Sequence, residues 1–284
     1  LSDTLASARK MADLAREASS VVRIGLTYRR QPGVAAIRDW IRDGTLGRVL
    51  HFSGRYWCDY GCNPMAPMSW RYKGPMGSGA LADLGSHLTY LSEFLCGGIT
   101  AVSGGAFATA IKERPVPLGA VVGHGLAAVS DRKETVENDD YATYTATFSQ
   151  AAGSLEASRV AAGYPNGLAI EVFCENGAAN YHQARPSQIR LYLNGNQPGA
   201  NGYRTVNLGA DHVSAGMPID VAGVGFGQNE GFAYQARAFL EEVVGIPEER
   251  SLPRNASFGE GVHNMEILAA VVQSAERNGE QVKL

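Results

Sequence analysis

The stretch of sequence that decides the fold is 141–159, which reads YATYTATFSQAAGSLEASR. Large or β-branched side chains alternate along 141–149 with the two-residue period of a β-strand. Ala152-Gly153 then marks a turn before a second strand over 153–160. Consecutive strands joined by so short a turn pair antiparallel, so this stretch predicts a β-hairpin.

The same signals continue outward from this hairpin. Asn176-Gly177 and Asn194-Gly195 supply further tight turns. Additional strands are predicted at 48–57, 100–109, 167–175, 178–184, 187–193 and 203–208. The segment 111–138 has no steady period and is predicted to be an insertion or a long loop. The middle of the chain therefore predicts a mostly antiparallel sheet.

Segments in which apolar residues have helical spacing precede and follow the predicted strands in sequence. Helices are predicted after Asp3, from Pro32, near 80–95, around 232–243 and near 258–278. The run 21–27 follows the first helix and is typical of a buried strand in a doubly wound sheet. No partner strand precedes it, so the chain is expected to begin in the middle of a domain. One face of the large sheet is expected to stay open, which predicts a homo-oligomer.

Composition excludes several classes of protein. The 284 residues carry 25 basic and 28 acidic side chains and a net charge of -3, so no basic field attracts nucleic acid. No run of 18 uncharged apolar residues exists, so no membrane helix is predicted. The four cysteines are too few for a disulfide scaffold and fit reduced thiols in a cytoplasmic protein.

The strongest candidate site is the segment 74–87, GPMGSGALADLGSH. A glycine loop runs into a helix N-terminus, whose free N–H groups favour oxygen ligands. Asp83 and His87 are four residues apart and share one helix face, where a carboxylate can hold an imidazole in its basic form. Gly85 would let a ligand approach the backbone. The alternative is an ordinary helix carrying a polar pair.

Three other segments combine charged and aromatic side chains: Trp70-Arg71, Tyr28-Arg29-Arg30, and Ser158-Arg159 followed by Tyr164. A planar cation beside an aromatic ring suits a phosphate or a polyhydroxylated ring. The alternatives are surface ion pairs and solvated strand ends.

Two other patterns are weaker. The glycines of 223–227 resemble a dinucleotide loop, but their spacing is one residue short and no acidic residue follows at the ribose distance. Cys58 and Cys62 lie near His51, yet no second pair completes a zinc site, so no metal is predicted.

Taken together, the segments 25–32, 41–49, 69–71 and 77–87 resemble the Gfo/Idh/MocA family of glucose–fructose oxidoreductases and inositol dehydrogenases. Within that family the pattern is most similar to levoglucosan-type sugar dehydrogenases. The resemblance implies an α/β fold: the tail of a Rossmann-type doubly wound domain, then an α+β domain with a large, mostly antiparallel open sheet. Residues 1–31 would be the remnant of the dinucleotide-binding domain. Residues 32–284 would form the substrate-binding and oligomerisation domain.

The resemblance also implies an NAD(P)-dependent oxidoreductase that transfers a hydride between nicotinamide and a secondary alcohol of a sugar, polyol or inositol. The family's cofactor loop and its Glu-Lys-Pro segment would precede Leu1. The chain is therefore expected to lack its nucleotide-binding half and to be inactive alone. The choice between NAD and NADP, and between dimer and tetramer, stays open.

The resemblance assigns a role to each candidate residue. His87 would be the catalytic acid/base, and Asp83 would orient the substrate. Tyr28, Arg29, Trp70 and Arg71 would contact the cofactor, and the sugar would meet Tyr56, Asp59, Arg159 and Tyr164. One alternative is a non-catalytic oligomerisation or ligand-binding module. Another is a metal-dependent hydrolase or lyase that uses His87 with Asp83.

Overall fold

The computed structural model describes residues 1–195, 201–208 and 227–284. The helices in these ranges are α1 Leu5–Glu17, α2 Pro32–Arg42, α3 Ser86–Cys96, α4 Gln228–Val243 and α5 Phe258–Glu276. The strands are β1 Val49–Trp57, β2 Ile99–Ala108, β3 Glu113–Pro117, β4 Val129–Thr135, β5 Tyr141–Phe148, β6 Ala152–Ser158, β7 Gly167–Cys174, β8 Gly177–His182, β9 Gln188–Leu193, β10 Arg204–Asn207 and β11 Val282–Lys283.

Nine strands form one sheet in the order β10-β9-β8-β7-β1-β6-β5-β2-β11. The predicted hairpin is confirmed, since β5 and β6 pair antiparallel from Tyr141 opposite Ser158 to Thr147 opposite Ala152. The turn at Asn176-Gly177 likewise joins the antiparallel strands β7 and β8. The large, mostly antiparallel sheet in a mixed α/β chain is therefore confirmed.

Two predicted elements differ from the structure. The segment 111–138 is not simply a loop, because β3 and β4 pair antiparallel as a separate two-stranded ribbon. The predicted strand over 21–27 is reduced to a single antiparallel bridge between Ile24 and Ala256. A β-branched run becomes a strand only where a neighbour offers a ladder of hydrogen bonds.

The described residues divide into two compact units, and β1 and β7 each contribute residues to both. Unit 1 contains Leu1–Phe52, Tyr90–Gly98 and Ala169–Glu266, and unit 2 contains Ser53–Thr89, Ile99–Leu168 and Ile267–Leu284. The predicted domain boundary after residue 31 concerns a different division and stays a prediction.

Unit 1 packs α2 against β8. Pro32 starts the helix at its first turn, where a proline loses no hydrogen bond. A Cβ on Gly33 would lie 2.5 Å from the Tyr181 ring, so only glycine lets the two elements approach this closely. Ile37 and Ile189 are fully buried in this unit.

Unit 2 buries one face of β5. Ala142, Tyr144 and Phe148 are at most 3% exposed, whereas Thr145, on the opposite face, is exposed. The alternation anticipated from 141–149 is therefore real, and the face that carries Thr145 is neutral and open within this unit.

Candidate active site

The candidate site lies in unit 2 at the start of α3. Residues Leu81–Gly85 form one π-helical turn that runs directly into α3. Leu81, Leu84 and Leu88 are buried, whereas Asp83 and His87 are half-buried. The charge of Asp83 acts on His87, as expected for residues on one helix face. Single π-turns are rare and often occur at functional sites.

The glycine loop before this helix is ordered by a carboxylate of the chain itself. Asp139 is fully buried and accepts hydrogen bonds from the amides of Gly77 (2.7 Å), Gly79 (3.0 Å) and Leu81 (2.8 Å). Asn138 adds a 3.2 Å bond to the Ser78 hydroxyl. The expectation that these amides are open to a ligand oxygen is therefore wrong, because Asp139 already occupies them.

Replacing Gly79 by alanine should destabilise the protein by about 3 kcal/mol, because the new methyl group would collide with the backbone oxygen of Asp139. Gly98→Ala is the matched control, since nothing lies within 4 Å of its added Cβ. Urea unfolding of both variants measures the difference. Equal midpoints for the two variants would contradict the tight packing at Gly79.

Asp83 is held in place by two side chains. The Tyr60 hydroxyl donates a 2.6 Å hydrogen bond to Oδ2 of Asp83, and Nη1 of Arg71 lies 3.4 Å from the same oxygen. The Tyr60 ring also contacts the ring of His124, with centroids 4.1 Å apart. Burial and the neighbouring Asp83 raise the pKa of Tyr60, so its hydroxyl remains a donor.

Tyr60 and His124 were not singled out in the sequence. Tyr60 follows β1 in a loop, and His124 lies between β3 and β4. Neither residue stands in a periodic pattern. The one usable signal for Tyr60 is its position next to Asp59, which was a candidate.

His87 packs beside Tyr56 in an edge-on arrangement, with ring centroids 5.7 Å apart. The Tyr56 hydroxyl donates a 2.7 Å hydrogen bond to Asn166. Burial lowers the pKa of His87 to about 4, and the negative charge of Asp83 opposes this shift. The imidazole is therefore neutral at pH 7 and able to accept a proton.

The contacts that Arg159 makes within the protein are structural. Its guanidinium, 1% exposed, donates to Asp140 (2.7 Å), to the backbone oxygen of Arg71 (2.7 Å) and to Asn138 (2.8 Å). These bonds fix the segment that carries Arg71 beside Asp83. They leave the sugar contact predicted for Arg159 without support, and that role stays a prediction.

Gly85 also has a different role from the one expected. A Cβ there would lie 3.0 Å from Leu81 and 3.8 Å from Ala157 of β6, so this glycine packs against the core of unit 2. Its carbonyl accepts the Thr89 hydroxyl at 2.9 Å. The expectation of a close ligand approach at Gly85 is therefore wrong.

The other candidates of unit 2 differ in accessibility. Trp70 is 76% exposed, and the guanidinium of Arg71 stacks 4.5 Å from its ring centroid. Asp59 is half-buried. Tyr164 packs edge-on against Trp57 with centroids 5.1 Å apart. The structure thus brings Asp83, His87, Tyr56 and Arg71 together in this unit.

The first cofactor candidates, Tyr28 and Arg29, lie in unit 1. Tyr28 is buried, and its amide donates to the Tyr90 hydroxyl at 3.2 Å. Arg29 forms a 2.6 Å ion pair with Glu260 and lies over the ring of Tyr90. Their predicted cofactor contacts stay predictions.

Cys58 and Cys62 are free thiols, and burial raises the pKa of Cys58 to about 12. Across 1–195, 201–208 and 227–284, no group of three or more potential metal ligands occurs. The glycines before 227 lie outside the described residues. None of the described helices is long and apolar enough to cross a membrane.

Comparison with known proteins places this geometry in context. Residues 34–180 match the family model of the GFO/IDH/MocA C-terminal domain. Levoglucosan dehydrogenase of Pseudarthrobacter phenanthrenivorans is 31% identical over 282 residues, which cover 98% of this chain and 70% of that enzyme.

Solved structures give the same result. Apo levoglucosan dehydrogenase superposes with a TM-score of 0.85 at 28% identity, covering 100% of this chain and 72% of that one. Its complex with NADH and levoglucosan gives a TM-score of 0.82 at 27% identity, covering 100% and 71%. These matches do not confirm the expectation that a nucleotide-binding half is missing. The family model and the identity to levoglucosan dehydrogenase establish that the chain belongs to the GFO/IDH/MocA family of oxidoreductases.

Proposed function

We propose that this protein is an NAD-dependent dehydrogenase that oxidises a secondary alcohol of a sugar or polyol. One observation carries the proposal: a neutral, half-buried imidazole at His87 next to a carboxylate at Asp83. Alcohol oxidation needs such a base beside the hydroxyl. The similar enzyme was solved with NADH and levoglucosan, which supports the same classes of cofactor and substrate.

The roles follow from the contacts. Tyr60 and Arg71 fix one oxygen of Asp83, and the other oxygen is proposed to accept a hydrogen bond from a substrate hydroxyl. His87 takes the proton of the reacting hydroxyl at a ring nitrogen. The charge of Asp83 stabilises the imidazolium that results. Bound NAD would supply the acceptor for the hydride of the carbinol carbon, and the overall products would be a ketone, NADH and one proton.

The described residues fit the reacting end of the cofactor. The exposed ring of Trp70 with Arg71 stacked against it offers a flat, cationic surface for a ring of the cofactor. None of the described glycine turns has the strand–loop–helix form of a dinucleotide fingerprint. No described residue is therefore assigned to the cofactor's phosphates.

The direct test is hydride transfer with NAD, or NADP, and a panel of sugars, anhydrosugars and inositols. The assay follows the absorbance of the reduced nicotinamide and uses the protein as its gene encodes it. Turnover of at least one polyol supports the proposal, and no turnover of any member would contradict it. The 284-residue chain assayed in parallel tests the expectation that it is inactive alone.

The low pKa of His87 predicts the pH dependence of kcat/KM. The base acts in its neutral form, and lowering its pKa to about 4 extends that form to acidic pH. We expect kcat/KM to stay level from pH 8 to about pH 5.5. A base with the ordinary histidine pKa near ~6.5 would instead lower kcat/KM about tenfold at pH 5.5. A fall centred near pH 6.5 in a steady-state pH profile would contradict this environment for His87.

Self-association through the open sheet face is also proposed. The neutral face of β5 that carries Thr145 is the surface expected to meet another copy. Light scattering at micromolar concentration should give a mass above that of one chain, and Thr145→Glu should reduce it. Ala120→Glu, at another exposed position, is the control. A monomeric wild-type protein would refute this surface.

A further inference from the structure

Unit 1 contains a cavity of about 160 Å³ with an unusual set of charges. Asp39 is the one carboxylate among its lining residues. Five arginines line the same cavity: Arg29, Arg30, Arg38, Arg42 and Arg254. The remaining wall is mainly apolar and includes Leu26, Phe94 and Leu252. We refer to this feature as the arginine cavity.

Within the part of the chain that the structure describes, two of the five arginines have no ionic partner. Neither Arg38 nor Arg42 has an ion pair within 4.0 Å among the described residues, although Asp39 is on the same helix. Arg38 instead lies over the ring of Phe94, 3.9 Å from its centroid. Among the described residues, the only opposing charge from within the cavity is that of Asp39, which acts on both arginines without forming an ion pair.

Groups of the protein hold the other three arginines. Arg29 pairs with Glu260, Arg30 donates to Asn255 at 3.0 Å, and Arg254 donates to the backbone oxygen of Ile246 at 2.5 Å.

Charge repulsion is evident within the cavity. Burial, together with the charges of Arg42 and Arg29, lowers the pKa of Arg38 to about 10. Two further acids whose charges act on Arg254 are already engaged, since Glu241 binds Arg237 and the Leu252 amide, and Glu242 binds Arg23. An anion inside would relieve the repulsion and accept hydrogen bonds from the guanidinium groups of Arg38 and Arg42.

We propose that the arginine cavity binds a small oxyanion of the phosphate class, either inorganic phosphate or the phosphate group of a small metabolite. Guanidinium forks match the oxygen spacing of phosphate and bind it through paired hydrogen bonds. The volume is well below the ~300 Å³ at which pockets for drug-sized ligands begin, so a whole dinucleotide does not fit. The site is distinct from Asp83 and His87 and does not depend on the proposed dehydrogenase function.

The test is a calorimetric titration of the full protein with inorganic phosphate at constant ionic strength. Arg42→Gln and Arg38→Gln should each weaken phosphate binding about tenfold or more, the value of one charge-assisted hydrogen bond. Arg42 is exposed, whereas Arg38 packs over the ring of Phe94. The Arg42 variant therefore carries less risk to folding than the Arg38 variant. Arg132→Gln is the control, because that side chain is 71% exposed on the β3–β4 ribbon.

Further titrations identify the source of the anion. A phosphomonoester such as glycerol phosphate that binds more tightly than inorganic phosphate would assign the site to a metabolite, and the reverse order would assign it to the free ion. Absence of saturable binding at millimolar phosphate would overturn the proposal. Equal binding by Arg42→Gln, Arg38→Gln and wild type would overturn it too, as would displacement of phosphate by stoichiometric NAD.

Discussion

Replacing His87 by alanine is expected to lower the kcat of hydride transfer by a factor of about 10² to 10⁴, the usual contribution of a positioned acid/base group. The variant has no group at this position to accept the proton of the substrate hydroxyl. The KM for NAD should change little, because the imidazole acts on the alcohol. Asp83→Asn should also lower kcat, since it removes the charge that stabilises the imidazolium.

His51→Ala is the control for this experiment. His51 lies in unit 1, where its ring stacks on Phe173 with centroids 5.2 Å apart. We expect its kcat to match that of the wild-type protein. Melting curves of all variants separate loss of chemistry from loss of folding. A His87→Ala protein that is folded and turns over at the wild-type rate would rule out the assigned role.

Replacing Arg159 by methionine is expected to lower the free energy of unfolding by about 3 to 5 kcal/mol. Both partners of the Arg159–Asp140 pair are at most 1% exposed, so the substitution leaves a buried carboxylate without its counter-ion. It also removes the hydrogen bond to the backbone of Arg71. The segment beside Asp83 should therefore loosen, and kcat should fall even at urea concentrations below the unfolding transition.

The matched control is Arg48→Met, which breaks the exposed ion pair with Glu175. These side chains are 47% and 46% exposed, so the expected loss is less than about 1 kcal/mol. Urea unfolding of both variants gives the two free energies. If the two variants lost equal stability, the buried pair would not have the structural role assigned to it.

The sheet was predictable because its signals are local. Alternation along β5, the turn before β6 and Asn176-Gly177 between β7 and β8 each specify a pairing between neighbours in sequence. The β3–β4 ribbon escaped prediction because β3 contains two prolines and β4 is mostly exposed. Neither strand has the buried alternation by which a sequence reveals a strand.

The candidate site was predictable in part for the same reason. Asp83 and His87 are neighbours on one helix, and their spacing alone indicates a pair. Tyr60 reaches Asp83 from 23 residues away, and His124 joins it from the ribbon. Such contacts depend on tertiary structure. The burial of Arg159 was not predictable for a related reason, because a charged residue at a strand end gives no sign of whether it will be buried.

The carboxylate of Asp139 has a consequence for the order of folding events. It follows the amides of Gly77, Gly79 and Leu81 by 62, 60 and 58 residues, so the glycine loop has no local means of taking its native shape. The β2 strand and the β3–β4 ribbon must be synthesised and brought back before Asp139 can reach these amides. Contacts of such long sequence separation carry a loop-closure cost and form slowly. The turn that positions Asp83 and His87, the proposed catalytic pair, is therefore expected to become ordered late, after the local hairpins of the sheet have formed.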